Sequence, residues 1–445
     1  MKVSVIGTGY VGLVSGVCLA ELGHTVFCVD VDTVKIDQIN QGITPIHEKG
    51  LADLLKKNVG SRLTATADLE RAVHETELSL IAVGTPFDGQ EIDLSYIRHV
   101  AEKIGDALKS KSAYHVVVVK STVVPGTTDT VVTPLLESAS GKKAGPDFGV
   151  GMNPEFLREG EAVVDFMSPD RIVLGACDTR SLSVMQALYA PFESVDILST
   201  NSKTAEMIKY TANSLLATMI SFSNEVGNLC KKTGKVDVTE VMQGVHLDKR
   251  LSPIIDNGRR IVPSFTTYIE AGCGFGGSCF PKDVKALISY GKSLGEPMGL
   301  LDAVIKVNQA QPRQIIAMLE KHFPSLDGVH ITILGLAFKP ETDDMRESPA
   351  IPVIQTLLNR GAQLCAFDPV AKDEAMKLFG EDTIQYAKTL GDALAQPQAV
   401  VLLTRWDAFK DLARLIQPMK PQPLVIDGRR MLDKNAFDRY EGIGM

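Results

Sequence analysis

The chain has 445 residues, 44% hydrophobic and 22% charged, with a net charge of −8; that length predicts two or three domains, and the acidic balance argues against nucleic acid as a general partner. It has no apolar run of about 18 residues and no leader pattern, so neither a membrane span nor a signal peptide is expected. Seven cysteines (18, 28, 177, 230, 273, 279 and 365) without C-x-x-C pairs, and eight histidines without ligand spacing, predict free thiols in a reducing cytoplasm and no metal.

"KVSVIGTGYVG" opens the chain as an apolar strand followed by Gly7, Gly9 and Gly12. A helix pattern runs to Gly23, and a second strand, "TVFCVD", ends in Asp30. Strand, glycine turn, helix and terminal acid together form a dinucleotide-binding fingerprint. Gly7 permits the turn, Gly9 lets backbone approach a pyrophosphate, and Gly12 allows close helix packing. The helix N-terminus faces the phosphates. Asp30 would bond a ribose diol and repel a 2′-phosphate, which favours NAD over NADP. Strands at 79–86 and 115–123 end in Gly84, Thr85, Ser121 and Thr122, where cofactor edges lie in open α/β sheets.

"NPEFLREG" sets Glu155 and Glu159 four apart, on one face if the stretch is helical. A carboxylate pair there suits acid/base work or a solvated surface equally. Residues 204–232 read as one long spine helix. Lys209 and Asn213 are i,i+4 neighbours on it, placed to bond a substrate hydroxyl and a developing oxyanion, or simply a snorkelling lysine beside an amide. "AGCGFGGSCFPKD" then sets Cys279 behind four glycines and ahead of Lys282 and Asp283. The glycines leave room for an incoming carbon, and a helix starting near Pro281 would stand beside the thiol. A helix N-terminus and a nearby ammonium favour thiolate. The competing reading is a small cysteine in a packing turn.

From about residue 328 the opening pattern returns without the full glycine motif. "VHITILGLAFKP", "QLCAFDP" (ending in Asp368), "AVVLLT" and "PLVIDGRR" are parallel strands of a second doubly wound domain. Lys339, Arg346, Arg429 and Arg430 fall at strand ends, where cations suit phosphate. The fold expected is α/β: two Rossmann-like domains, 1–203 and 316–445, around a helical segment, 204–315.

In this order, "GTGYVGL", "AVGTP", "KSTVVPGT", "NPEFLREG", "AEMIKYTANSLLA", "GFGGSCFPKD", "LGLAFKPETDDMRES" and "DGRR" resemble the nucleotide-sugar 6-dehydrogenases along essentially the whole chain. The resemblance implies two successive oxidations of a sugar C6 alcohol to a carboxylate with NAD, and a homodimer or higher homo-oligomer built on the spine helix. It implies Cys279 as nucleophile, Lys209 at the oxyanion, Asp283 and Glu155 handling protons and water with Thr122, and Asn213 holding the sugar. Tyr10, Val11, Lys35, Glu159, Lys282 and Arg346 join the glycines and Asp30 at NAD. Phe156, Leu157, Arg158, Arg250, Tyr268, Ile269, Glu270, Ala271, Gly272, Gly276, Phe338, Lys339 and Arg429 border the sugar nucleotide.

One departure concerns an arginine that the family contributes across its dimer from closer ahead of the cysteine. Here Arg250 is far upstream of Cys279, with Arg259 and Arg260 between, as if the loop were lengthened. "PDRIVLG", "LLTRW" and "DGRR" favour UDP-glucose as substrate, while "GKKAGPDFGVGMNPEFLRE" leans to GDP-mannose. Two other readings compete: a single-step β-hydroxyacid dehydrogenase, which shares a Lys-x-x-x-Asn helix pair and needs no thiol, and a non-catalytic NAD-binding module.

Overall fold

The computed structural model describes residues 1–445. The opening fingerprint becomes β1 (Lys2–Ile6), helix α1 (Tyr10–Glu21) and β2 (Thr25–Val29). Next come β3 (Leu63–Thr66), β4 (Leu78–Ile81), β5 (Val116–Val119), β6 (Gly149–Met152), β7 (Ile172–Ala176) and β8 (Ile197–Thr200). They form one sheet in the order β3-β2-β1-β4-β5-β6-β7-β8. The central strands are buried and mostly apolar because both faces are covered, interrupted by Ser4 in β1 and Ser79 in β4, whose hydroxyls bond each other at 2.6 Å. Val3, Val5, Leu78, Leu80, Val116 and Val118 point to one core, and Ile6, Ile81, Val117 and Val119 to the other. Burying each such side chain stabilises by roughly 1.5–3 kcal/mol.

The sheet departs from all-parallel pairing at one place. β6 and β7 run antiparallel, with Gly151 opposite Ala176. The connecting residues 153–171 include only a short helix, Ala162–Met167. They stay at the carboxyl end of β6 instead of crossing the sheet, and "NPEFLREG" lies there as a loop.

The spine is helix α2, Ser202–Thr233. By packing, the chain divides into units Met1–Ala212 and Asn213–Met445, so α2 contributes turns to both. In the second unit the thiol stretch leads into helix α3, Phe280–Ser293, with Pro281 in its first turn. The second sheet comprises β9 (His330–Leu334), β10 (Gln363–Phe367), β11 (Gln385–Tyr386), β12 (Ala399–Leu402), β13 (Leu424–Asp427) and β14 (Tyr440–Gly442). Its order is β11-β10-β9-β12-β13-β14, parallel throughout. Alternate residues again serve two cores, Ile331, Ile333, Val401 and Ile426 on one side, Leu334, Val400, Leu402 and Val425 on the other. No helix is long and apolar enough to cross a membrane.

Candidate active site

At the end of β1 the backbone demands glycine. Gly7 has φ +98°, and a Cβ on it would lie 2.8 Å from the Ala82 carbonyl oxygen. A Cβ on Gly12 would lie 1.9 Å from the Gly7 oxygen, whereas nothing stands within 4 Å of a Cβ on Gly9. No side chain caps the first turn of α1, so its N–H groups are left for an anion. Asp30 Oδ2 accepts from the Thr8 N–H at 2.7 Å and from the Thr8 hydroxyl at 2.5 Å, and Oδ1 from the Asp32 N–H at 3.1 Å. Burial pushes this carboxyl up, but the Thr8 and Asp32 bonds and nearby Lys35 outweigh it and hold it ionised. The cradle fits a dinucleotide with an unsubstituted ribose diol. Tyr10 offers it backbone only, because its hydroxyl donates to buried Glu48. Val11 follows in the same first turn. Gly84 is open, with nothing within 4 Å of a Cβ there. Beside it, β4 and β5 are tied at their carboxyl ends: the Thr85 hydroxyl donates to the Thr122 carbonyl at 2.7 Å and the Ser121 hydroxyl to the Val83 carbonyl at 2.7 Å.

The loop after β6 holds a buried ion pair. Lys209 Nζ lies 2.8 Å from Glu155 Oε1, with the two side chains 4% and 5% exposed. Burial alone would raise the Glu155 pKa, but Lys209, the Leu157 N–H at 2.6 Å and Lys120 together lower it below the usual carboxylate range. Glu155 is therefore an ionised base at neutral pH. Glu155 and Glu159 do not share a helix face, because Pro154 and the extended backbone around it break any helix. Both are buried all the same. Phe156 lies under Arg171, 3.8 Å from its ring centre, and Lys209 stands 5.6 Å from the same ring. Leu157 packs against the core below α1. Arg158 is turned outward to Asp165 and Glu161 at 2.6 and 2.8 Å.

In the second unit, Cys279 is the N-cap residue of α3, and its carbonyl accepts from the Asp283 N–H at 2.8 Å. Asp283 is 1% exposed. Its two oxygens are bridged, Oδ2 accepting from the Asn213 amide at 2.6 Å and Oδ1 from Lys282 at 2.6 Å. Thiol and carboxylate thus sit on the first turn of one helix, the carboxylate fixed by two donors.

The glycines ahead of the thiol have a different reason from the one the sequence suggested. A Cβ on Gly276 would lie 2.3 Å from the Glu347 oxygen, on Gly277 2.7 Å from the Phe338 ring, and on Gly274 2.8 Å from Asn308 Oδ1. At these three positions the protein's own chain occupies the place a side chain would take. Asn224 accepts from the Gly272 N–H at 2.8 Å, Gln311 donates to the Gly272 carbonyl at 2.9 Å, and Asn308 bonds both backbone groups of Phe275. These glycines hold the thiol loop rigidly from behind.

Around the mouth of the second sheet, Arg429 donates to the carbonyls of Leu403, Gly274 and Phe338 at 2.6, 2.9 and 3.3 Å. It welds the thiol loop to the strand ends, leaving part of its fork for a ligand. Glu270 pairs with Arg405. Ile269 and Ala271 are buried, and the Tyr268 ring lies 6.3 Å from that of Phe280. Lys339 is half-buried beside the Phe338 ring, and Arg346 forks onto Asp344. In the lengthened loop, Arg250 folds back on Asp248 at 2.5 Å, and Arg260 donates to the Leu247 and Ser252 carbonyls at 2.8 Å. Arg259 sits exposed beyond the Ile254–Arg260 bridge.

Several positioning groups escaped the sequence reading. Glu48 accepts from Tyr10 and from the N–H groups of Gly160 and Ala162 at 2.7 and 2.9 Å, tying the dinucleotide turn to the Glu155 loop. Lys120, 3% exposed, donates to Asn153 at 3.0 Å. Asn224, fully buried on α2, was the one with a visible signal: a second amide three turns beyond Asn213 on an apolar face.

Residues 1–193 match the NAD binding domain of the UDP-glucose/GDP-mannose dehydrogenase family, 203–310 its central domain and 332–434 its UDP binding domain. The chain is 42% identical to a UDP-glucose 6-dehydrogenase of Haloferax volcanii, over 100% of both chains. It is 39% identical to a GDP-mannose 6-dehydrogenase of Pseudomonas putida, also over 100% of both. Among solved structures it resembles a UDP-glucose dehydrogenase from Pyrobaculum islandicum with TM-score 0.89 and 40% identity, covering 99% of this chain and 97% of that one.

Proposed function

Because the chain belongs to the UDP-glucose/GDP-mannose dehydrogenase family, we propose that it is the NAD-dependent enzyme that oxidises UDP-glucose at C6 to UDP-glucuronate. The observation that carries the mechanism is Cys279 on the first turn of α3, with Asp283 braced between Asn213 and Lys282. Without a thiol, the free aldehyde would have to be hydrated before a second hydride could leave.

Bound NAD⁺ supplies the hydride acceptor, once for each of the two oxidations. Glu155, ionised beside Lys209, takes the C6 hydroxyl proton through water held at Thr122, and Lys209 stabilises the developing alkoxide. The Cys279 sulfur adds to the aldehyde carbon and gives a thiohemiacetal, the thiol proton passing by way of Asp283 to the former carbonyl oxygen. Loss of the second hydride and the hydroxyl proton gives a thioester. Water then adds to the thioester carbonyl, the C–S bond breaks, and carboxylate and thiol are released. The balance is one alcohol, one water and two NAD⁺ to one carboxylate, two NADH and three protons. Asn213 holds the sugar, and Lys339, Arg429 and the backbone at 268–272 and 276 grip the uridine diphosphate. By the family resemblance, Lys282, Glu159 and Arg346 would serve the cofactor. Functionally the segments divide as 1–203 for NAD, 204–315 for the thiol and dimer contacts, and 316–445 for the nucleotide.

A homodimer in the cytoplasm completes the reading. Leu215, Phe222 and Leu229 are 53%, 55% and 65% exposed on α2, a heptad-spaced apolar row that suits a second copy of the helix. Phe222→Asp should shift the protein to monomer in light scattering.

The test of substrate is kcat/KM for UDP-glucose against GDP-mannose, with carbamidomethylation of Cys279 by iodoacetamide followed in parallel. Preference for UDP-glucose, and its protection of the thiol, are expected. Preference for GDP-mannose would overturn the substrate, and a thiol indifferent to either sugar would overturn the covalent route.

A further inference from the structure

Lys120 closes β5, one residue before Ser121, and points into the protein. Its Nζ donates to Asn153 Oδ1 at 3.0 Å, the oxygen that also accepts from the Tyr189 hydroxyl. Asn153 is held in turn by its amide on the Val173 carbonyl at 2.9 Å. The Phe166 ring centre lies 6.0 Å from the ammonium. Two residues beyond Asn153 stands Glu155 with its partner Lys209. A second lysine 3% exposed beside an existing buried ion pair is costly unless its charge is used.

We propose that Lys120 is a positioning residue for the dehydrogenase reaction: its ammonium, fixed by Asn153, holds Glu155 ionised while Lys209 is engaged at the substrate oxygen. The inference rests on the nucleotide-sugar dehydrogenase reading given above. The charged and titratable groups facing this cluster are Glu155 from the loop after β6, Lys209 from α2 and Tyr189, with Arg171 over the Phe156 ring beside Lys209. Burial, opposed by Glu155 and reinforced by Lys209, lowers Lys120 to about 8. Lys120 in turn is among the groups that hold Glu155 low. The coupling has a chemical use. When Lys209 turns to the alkoxide, Glu155 would lose its main counter-charge, and a second cation keeps it a base through both oxidations.

The sign follows directly. Removing a nearby cation raises the Glu155 pKa, so the acid limb of kcat/KM for UDP-glucose moves to higher pH. Lys120→Gln keeps a donor for Asn153 without charge, and Lys120→Met removes both. The expected result is the same upward move of about one pH unit in the two variants. An acid limb unmoved in both, whatever happens to rate or Tm, overturns the proposal and leaves Lys120 as a packing residue. A second readout needs no turnover. The lysine ¹³Cε resonance absent from Lys120→Met should titrate near 8, and move to lower pH in Glu155→Gln. A resonance indifferent to Glu155→Gln would also overturn the proposal. Failure of the dehydrogenase reading itself would appear separately, as a wild-type protein that forms no NADH from either sugar nucleotide.

Discussion

The two sheets share the order of six strands, β3-β2-β1-β4-β5-β6 and β11-β10-β9-β12-β13-β14, and differ in what stands at their carboxyl ends. In the first, Gly7 turns the chain straight into α1, and a half-buried acid, Asp30, ends β2. In the second, Gly335 makes the corresponding turn with φ +91°. The chain then wanders through residues 336–349 before the helix Ala350–Asn359, so no helix N-terminus sits under the turn. Asp368 ends β10 as Asp30 ends β2, but it is 5% exposed and saturated. Oδ2 accepts from the Leu336 and Ala337 N–H groups and the Trp406 indole, and Oδ1 from the Val370 and Ala371 N–H groups. One acid stays half-exposed with three donors on it, and the other is saturated by the fold. A strand-end acid therefore signals a dinucleotide only where glycine turn and helix follow at once.

Four substitutions can break or sharpen this contrast. Gly12→Ala has the largest expected effect, because its Cβ would meet the Gly7 oxygen at 1.9 Å. A clash with backbone is at or beyond the upper end of overpacking costs, so the first unit should lose about 3 kcal/mol in urea unfolding, and NAD affinity in calorimetry should fall as the turn is displaced from α1. Asp368→Ala leaves five donors without their acceptor. It should destabilise the second unit by about 3 kcal/mol in urea unfolding while NAD affinity holds.

His115→Gln probes the amino edge of the first sheet. There His115 is buried between Lys111 at 3.0 Å and Ser79 at 2.8 Å, and burial, then Lys111, lowers it to about 3. An imidazole that stays neutral when folded but takes a proton near 6.5 when unfolded costs stability as pH falls below 6.5. The wild-type advantage over His115→Gln should therefore shrink by about 2 kcal/mol from pH 7.5 to pH 5. Asp30→Ala should be the mildest, a roughly ten- to thirty-fold loss in NAD affinity for one charge-assisted bond, with NADP gaining relative to NAD. An unchanged affinity would remove Asp30 from the ribose.

Local patterns were readable, and long-range partners were not. The βαβ opening, the spine and the four central strands of the second sheet follow from apolar runs and glycine stops. Strands such as β6, "GVGM" with two glycines, and the half-exposed β8 are too short and weakly patterned to stand out. Cys279, Lys209, Asn213 and Asp283 were singled out through motif and resemblance. Glu155 was found for an incomplete reason, since its partner is Lys209, distant in sequence, and not a neighbouring turn of helix. Lys120 and Glu48 could not be found, because a buried charge is recognised by what surrounds it. The glycines before Cys279 were seen but misread: their Cβ positions are occupied by Glu347, Phe338 and Asn308, contacts that no local pattern predicts.

The central claim is a four-electron oxidation through the Cys279 thiol, and counting NADH at 340 nm against limiting UDP-glucose tests it most directly. Two NADH per sugar from the wild-type protein, with Cys279→Ser failing to complete the second oxidation, is the predicted result. One NADH per sugar, or two from Cys279→Ser at an undiminished rate, would contradict it.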